Sequence, residues 1–231
     1  MRSLDSASKL KAWLPLLKAW DLDGIVLYGA HRYLPASRKT VDRLRELRAG
    51  LPGLSVYVAG ENAEFFRALA ADTGWSASID GFHYEFEYWN FAQYRYASRA
   101  DAFARALDDL GGIRALADER NQPLEMYLGW FDAAEADLLL PLLDRVLLHA
   151  YVREAGAVLP YAADRIRLVS ARKRPLDWRI LLSAEGDFMG DILKAKGQEA
   201  VEAEVVAALE GTAGFAGVHW FTAELVRTAA R

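Results

Sequence analysis

The sequence predicts an α/β fold in which parallel strands alternate with helices, and three observations lead to that fold class. Short, continuously apolar segments recur along the whole chain and alternate with segments of helical period. Apolar segments of this kind, rich in Val, Ile, Leu and Tyr, are typical of parallel strands that are covered on both faces. The length of 231 residues is close to the roughly 250 residues of a (β/α)8 barrel. We therefore predict a single TIM-barrel domain over residues 1–231.

Seven segments have the apolar pattern of buried strands. They are Gly24–Gly29, Leu54–Ala59, Ser78–Trp89, Leu124–Gly129, Arg145–Tyr151, Trp178–Ala184 and Ala216–Phe221. The barrel needs eight strands, and this chain starts with a helical pattern. Either the first strand lies upstream of Met1, or Arg165–Ser170 is an extra strand and not part of a helix. Periodicity leaves both possibilities open.

Helical patterns fill the segments between these strands. They are Ser6–Trp20, Ser37–Arg48, Ala63–Thr73, Ser98–Leu110, Ala133–Leu143, Pro160–Lys173 and Asp187–Leu209. Asn62 and Asp132 stand immediately before two of them, so we expect both side chains to cap the helices that follow.

Composition excludes several classes of function. The net charge is −4 and the basic residues are spread along the chain, so nucleic-acid binding is not expected. The chain has no cysteine, which rules out disulfides and thiolate chemistry. The longest apolar run, Leu138–Val152, is interrupted by Asp144 and Arg145 and is too short to span a membrane. Met1–Trp20 lacks the pattern of a signal peptide. We expect a soluble protein without a cofactor, whose compartment and oligomeric state the sequence leaves open.

The third predicted strand carries the most concentrated set of titratable residues. Residues two apart share a face of a strand, so His83, Glu85 and Glu87 point the same way, while Phe82 and Tyr84 point the other way. We expect the polar face to point into the barrel and the aromatic face to lie under a helix. A solvated edge strand would show the same alternation, but the position of this segment between other strands favours the interior.

This strand resembles a motif of glycoside hydrolase family 18, the chitinases and endo-N-acetylglucosaminidases. The family carries Asp-Gly-x-Asp-x-Asp-x-Glu on its fourth strand, and this chain reads Asp-Gly-Phe-His-Tyr-Glu-Phe-Glu over residues 80–87. Asp80, the following Gly and Glu87 match in register, whereas His83 and Glu85 replace two aspartates. Tyr151 and Trp220 fit the family's tyrosine on strand six and tryptophan on strand eight.

The resemblance implies a TIM barrel that hydrolyses an N-acetylhexosamine-containing glycan with help from the substrate's own acetamido group. Glu87 would be the general acid, Glu85 would orient the acetamide and Tyr151 would hydrogen-bond its oxygen. Asp80, His83 and Trp220 would bind the carbohydrate substrate. We also expect Trp89, Trp130 and Glu185 to bind it, because they lie at the C-terminal ends of predicted strands, where the active sites of barrels lie. The replacements at His83 and Glu85 imply a different substrate or a loss of activity.

Three other interpretations remain open. Retaining glycosidases of this fold use two carboxylates, and here Glu87 and Glu185 would form that pair, about 5 Å apart. The chain could also be a carbohydrate-binding barrel that has lost catalysis, or a barrel hydrolase with a non-sugar substrate. A metal site that gathers His83, Glu85, Glu87 and His149 lacks any supporting short ligand spacing, and we predict no metal.

Overall fold

The structure is a computed structural model that describes residues 7–20, 22–172 and 176–229. All seven predicted strands are present: β1 (Gly24–Leu27), β2 (Ser55–Gly60), β3 (Gly81–Tyr84), β4 (Leu124–Leu128), β5 (Arg145–His149), β6 (Asp177–Ser183) and β7 (Phe215–Phe221). The helices are α1 (Ala7–Ala19), α2 (Arg38–Gly50), α3 (Ala63–Ala71), α4 (Thr73–Ser76), α5 (Arg99–Arg120), α6 (Ala133–Leu139), α7 (Val158–Ser170), α8 (Gly190–Lys196), α9 (Gln198–Leu209) and α10 (Ala223–Ala229). The predicted α/β class with parallel strands is confirmed.

The chain forms two compact units. The first comprises the residues up to Phe86 together with Asp108–Leu124, and the second comprises Glu87–Leu107 with the residues from Glu125 onward. The single domain that we predicted over residues 1–231 stays a prediction, and each unit is described by itself below.

In the first unit, β1, β2 and β3 lie side by side and run parallel. Phe82 lies on the helix-facing side of β3, where its ring packs edge-on against Phe66 of α3 at 5.3 Å. Asn62 caps α3 as predicted, because its side-chain oxygen accepts the main-chain N–H of Phe65 at 2.8 Å. The alternation expected for β3 is thus confirmed on its aromatic side.

In the second unit, β4, β5, β6 and β7 are parallel neighbours in chain order. Tyr127, Leu147 and Leu181 are buried together in one cluster, against which Trp89, Tyr151 and Phe221 pack. Asp132 caps α6 in a capping box with Glu135, as its position before the helix predicted. Strands β4, β5 and β6 therefore share one apolar cluster.

Several predicted boundaries need correction. Arg165–Ser170 lies inside α7 and is not a strand. Strand β3 ends at Tyr84 and does not continue to Trp89, because the chain turns at Glu87 into a single 3-10 turn over Tyr88–Asn90. The helix predicted over Asp187–Leu209 is divided at Gly197, whose φ of 84° suits glycine and interrupts the helical path.

Two helices differ in extent from their predictions. Helix α5 is much longer than the predicted Ser98–Leu110, and α10 was not predicted. Ser6 and Lys173, at the ends of two predicted helices, lie outside the described residues. No helix in the described part of the chain is both long and apolar enough to cross a membrane.

Candidate functional site

Six aromatic rings gather near the C-terminal ends of the strands in the second unit, and we call them the rim cluster. They belong to Trp89, Tyr127, His149, Tyr151, Phe188 and Phe221. Trp89 packs edge-on against Tyr127 at 5.5 Å between ring centroids, and Tyr127 packs against His149 at 5.8 Å. Tyr151 lies 4.1 Å from His149, 5.1 Å from Phe188 and 6.2 Å from Phe221, to which it is nearly parallel. Rings in this number beside polar groups suit a ligand with both apolar faces and hydroxyls.

A glycine makes room for one of these rings. A Cβ at Gly129, which follows β4, would lie 2.6 Å from the indole of Trp89. Real Cβ contacts are essentially never this short, so Trp89 occupies its place because residue 129 has no side chain. The position of the Trp89 ring therefore requires a glycine at the end of β4.

Glu87 opens the turn that carries Trp89 into the cluster. Its main-chain carbonyl accepts the N–H of Asn90 at 2.8 Å, and its carboxylate accepts a hydrogen bond from the Asn90 side-chain amide. The carboxylate is partly exposed. Glu87 thus combines a fixed main chain with a carboxylate that reaches solvent.

Glu185 follows β6 and is held by the buried hydroxyl of Ser183. The Ser183 hydroxyl donates to Glu185 Oε2 at 2.9 Å, and it accepts the Glu185 main-chain N–H at 3.2 Å. The Glu185 carbonyl in turn accepts the N–H of Phe188 at 3.0 Å. This turn places Phe188 against Tyr151, so Glu185 is fixed beside the rim cluster.

His149 is held as a neutral imidazole. Burial, and to a smaller extent the nearby positive charge of Arg165, lower its pKa to about 4. The hydroxyl of Tyr161 lies 3.4 Å from His149 Nδ1. A neutral ring at this place can accept or donate one hydrogen bond without adding charge to the site.

Arg165 of α7 ties the ends of two strands together. Its guanidinium donates to the carbonyls of Gly129, His149 and Tyr161, each at 2.7 Å. Its central carbon lies 4.7 Å from the ring centroids of Trp130 and Tyr161. The buried cation thereby fixes the loop after β4 against the end of β5.

Two further tryptophans, Trp130 and Trp220, lie in different surroundings within this unit. Trp130 is 49% exposed and lines a cavity of about 640 Å³. The indole N–H of Trp220 donates to Glu202 of α9. Since Phe221 takes the position that faces the rim cluster, the Trp220 ring lies on the helix-covered side of β7 and not beside Tyr151.

The first unit holds the remaining candidate residues. Asp80 precedes β3, where its carboxylate accepts hydrogen bonds from Arg48 and from the main-chain N–H of Val56 at 2.8 Å. His83 is fully buried with its ring 6.0 Å from that of Tyr28. Glu85 lines a cavity of about 270 Å³ with Tyr28, His31, Glu61 and Asn62. Asp80 thus lies at the opposite end of β3 from Glu85.

Sequence reasoning missed four residues that shape the second unit: Tyr161, Arg165, Ser183 and Phe188. A serine two residues before a glutamate at a strand end was a readable signal for Ser183. Arg165 gave none, because an arginine within a helical pattern usually lies on the solvated face. Among residues 7–20, 22–172 and 176–229, no group of three or more His, Asp or Glu could hold a metal ion.

No family profile matches the chain, and no curated protein matches it in sequence. Solved structures do match. β-Glucuronidase 2 of Bacteroides uniformis superposes with a TM-score of 0.64 and 12% identity over 94% of this chain and 28% of its own. A 3-keto-L-gulonate-6-phosphate decarboxylase from Vibrio cholerae gives 0.55 and 13% over 96% of this chain and 88% of its own. The YdjI aldolase of Escherichia coli gives 0.52 and 11% over 94% and 70%.

These similarities show the fold class. It is the α/β class to which TIM barrels belong, although the structure describes seven strands and the closed eight-stranded barrel stays a prediction. Glycosidases, a decarboxylase and an aldolase all occur among the similar structures. The chain spans only about a quarter of the β-glucuronidase, 28% of its length. At this identity the similarity carries the fold and no particular reaction.

Proposed function

We propose that the chain is a glycoside hydrolase in which Glu87 is the general acid–base and Glu185 is the nucleophile. The observation that carries the proposal is that two members of the rim cluster, Trp89 and Phe188, each have a carboxylate residue close before them in the sequence. Glu87 lies two residues before Trp89, and Glu185 lies three residues before Phe188. A wall of aromatic rings flanked by two carboxylates suits a sugar ring held between a proton donor and a nucleophile.

The proposed reaction has two displacements. The Glu185 carboxylate attacks the anomeric carbon while Glu87 donates its proton to the glycosidic oxygen, so the glycosidic bond breaks and a glycosyl ester forms on Glu185. Glu87 then takes a proton from water, whose oxygen attacks the same carbon and releases Glu185. Two inversions give net retention, which requires the two carboxyls to lie about 5 Å apart in the substrate complex.

Ser183 supports the role of Glu185. Its hydroxyl donates to one carboxylate oxygen of Glu185, which leaves the other oxygen for the anomeric carbon. The similar β-glucuronidase 2 of Bacteroides uniformis binds cyclophellitol-6-carboxylate aziridine covalently. This supports the use of cyclophellitol aziridines, which trap a nucleophilic carboxylate, as probes of this chain.

The test is covalent labelling with a panel of cyclophellitol aziridines that differ in sugar configuration. At least one should add a single probe mass to the chain, on the peptide that contains Glu185. Glu185→Gln should abolish labelling. Asp187→Asn, a matched change of an exposed carboxylate two residues away, should not. Labelling elsewhere, or labelling that persists in Glu185→Gln, would overturn the proposed nucleophile.

A second candidate follows from the position of Tyr151. Its ring lies in the rim cluster, in the same unit as Glu87, which suits the substrate-assisted hydrolysis that the family 18 resemblance implies. In that case the acetamido group of an N-acetylhexosamine replaces Glu185 as nucleophile. Glu185→Gln should then still hydrolyse a chromogenic chitobioside, while Glu87→Gln should be inactive. Glycan binding without hydrolysis in either assay would identify a carbohydrate-binding protein.

A further inference from the structure

Trp130 presents an aromatic surface that the proposed reaction does not use. It lies just after Gly129, beyond the end of β4, and is 49% exposed, although a large apolar ring is normally covered. Its ring forms one wall of the cavity of about 640 Å³, together with Phe103, Phe131 and Leu138. The cavity is therefore open, and mostly apolar on the side of the ring.

Behind this ring lies the buried guanidinium of Arg165. It is 3% exposed, and it contacts both Trp130 and Tyr161 at 4.7 Å. No carboxylate lies within salt-bridge distance of Arg165 in the part of the chain that the structure describes. A buried cation is costly unless it is satisfied, and here three carbonyl oxygens and two ring faces replace a counter-ion.

This arrangement immobilises the Trp130 ring. Arg165 fixes the carbonyl of Gly129, the residue before Trp130, and contacts the ring itself. From the other direction, Arg99 donates to the carbonyl of Trp130 at 3.0 Å. A ring that is already fixed loses little conformational entropy when a ligand stacks on it, so preorganisation of this kind favours binding.

The cavity is also lined by polar groups that can form hydrogen bonds with sugar hydroxyls. Arg99 uses its Nε and one Nη to bind Glu135 and the Trp130 carbonyl. Asp132 uses one carboxylate oxygen to cap α6. Among the residues that the structure describes, the second Nη of Arg99 and the second oxygen of Asp132 have no hydrogen-bond partner. One donor and one acceptor beside an aromatic ring match a neutral sugar unit.

We propose that the Trp130 cavity is a carbohydrate-binding subsite for a neutral sugar unit of an oligosaccharide, and that Arg165 is the positioning residue of its stacking platform. The proposal rests on the proposed function, because the sugar unit would belong to the same glycan chain that Glu87 and Glu185 cleave. In this proposal Trp130 helps to bind the glycan and takes no part in bond cleavage.

The test is calorimetric titration of the full chain with neutral hexasaccharides of cellulose, chitin, xylan, mannan and laminarin. At least one should bind. Trp130→Ala should weaken that binding about tenfold, and Trp130→Phe should retain most of it, since a ring face remains. Leu159→Ala removes another exposed apolar side chain, 40% exposed on α7, and should leave the affinity unchanged.

The role of Arg165 has its own readout. Arg165→Met should weaken binding about as much as Trp130→Ala, and Arg165→Lys should recover part of the affinity, because a cation remains behind the ring. The near-ultraviolet circular dichroism of the tryptophans should change in Arg165→Met and partly return in Arg165→Lys. If Arg165→Met does not fold, Trp130→Ala still decides the subsite, because its ring lies at the surface.

Failure of the subsite and failure of the catalytic proposal are distinguishable. Binding that Trp130→Ala abolishes, in a chain without Glu185 labelling, supports the subsite and rejects the catalytic pair. Labelling of Glu185 in a chain whose hexasaccharide affinity is the same with and without the Trp130 ring rejects the subsite alone. Absence of binding to every hexasaccharide also rejects it.

Discussion

Arg165 donates a hydrogen bond of 2.7 Å to the carbonyl of His149, and the same cation helps to keep the His149 imidazole neutral. One side chain thus controls both the backbone and the charge of its neighbour. Burial and the positive charge of Arg165 both disfavour the protonated form of His149, so both lower its pKa.

The lowered pKa of His149 predicts a loss of stability in mild acid. With a pKa of about 4 in the folded chain and about 6.5 in the unfolded chain, the unfolded state takes up the proton first. Stability is therefore fully present above about pH 6.5 and is lost as the pH falls toward 4, by about 1–2 kcal/mol at pH 5. Urea unfolding of the wild type and of His149→Gln at pH 7, 6 and 5 measures this loss of unfolding free energy. The stability difference between the two proteins should shift in favour of the variant as the pH falls, and parallel curves would contradict the prediction.

Ser183→Ala should lower the rate of hydrolysis far more than it lowers stability. Without the hydroxyl, the Glu185 carboxylate loses the hydrogen bond that orients it, and a displacement of about 1 Å can cost on the order of a hundredfold in rate. The matched control is Ser78→Ala, a buried serine of the first unit whose hydroxyl donates to the Gly74 carbonyl. It should cost about 1 kcal/mol of unfolding free energy and leave kcat unchanged. Equal rates for the two variants would argue against a role for Ser183 in the reaction.

Gly129→Ala should destabilise the second unit and displace Trp89. A methyl group at this position would lie 2.6 Å from the indole, and overpacking of this kind costs about 1–3 kcal/mol. Gly111 of α5 has nothing within 4 Å of an added Cβ, so Gly111→Ala should raise stability by about 0.5–1 kcal/mol. Thermal unfolding of both variants provides the comparison. A stable Gly129→Ala protein would mean that Trp89 moves without cost.

Asp80→Ala should act on stability and not on sugar binding. Asp80 accepts hydrogen bonds from Arg48 and from the Val56 main chain, so its loss should cost about 1–3 kcal/mol. Asp42→Ala breaks a much more exposed ion pair with Arg45 and should cost less than about 1 kcal/mol. Urea unfolding gives both values. An intact stability with lost glycan affinity would return Asp80 to the binding residues that the family 18 resemblance implies.

The strands were predictable because a buried parallel strand leaves a short, continuous apolar run in the sequence. The caps at Asn62 and Asp132 were also predictable, since capping depends on residues only a few positions apart. The end of β3 was not. Alternation of polar and aromatic residues continues past Tyr84, but Tyr88 is buried by Phe103, Arg99 and Glu135, which lie elsewhere in the sequence.

The candidate site was also predictable only where the signal is local in the sequence. Glu87 and Glu185 were found because each stands near the end of a strand-like segment. Trp220 was matched to a sugar platform from its place in the order of motifs, whereas the partner that fixes it, Glu202, lies on a different helix. Arg165 escaped notice because only the folded chain brings it beneath Trp130 and against the ends of β4 and β5.

Trp130 also gives the protein an optical probe of its own. It is the most exposed of the seven tryptophans, so its emission should lie farthest to the red and respond most to acrylamide in solution. A ligand that covers the ring would shift that emission to the blue and shield it from the quencher. Occupancy of this one surface can therefore be followed without a dye, against the Trp130→Phe spectrum as background.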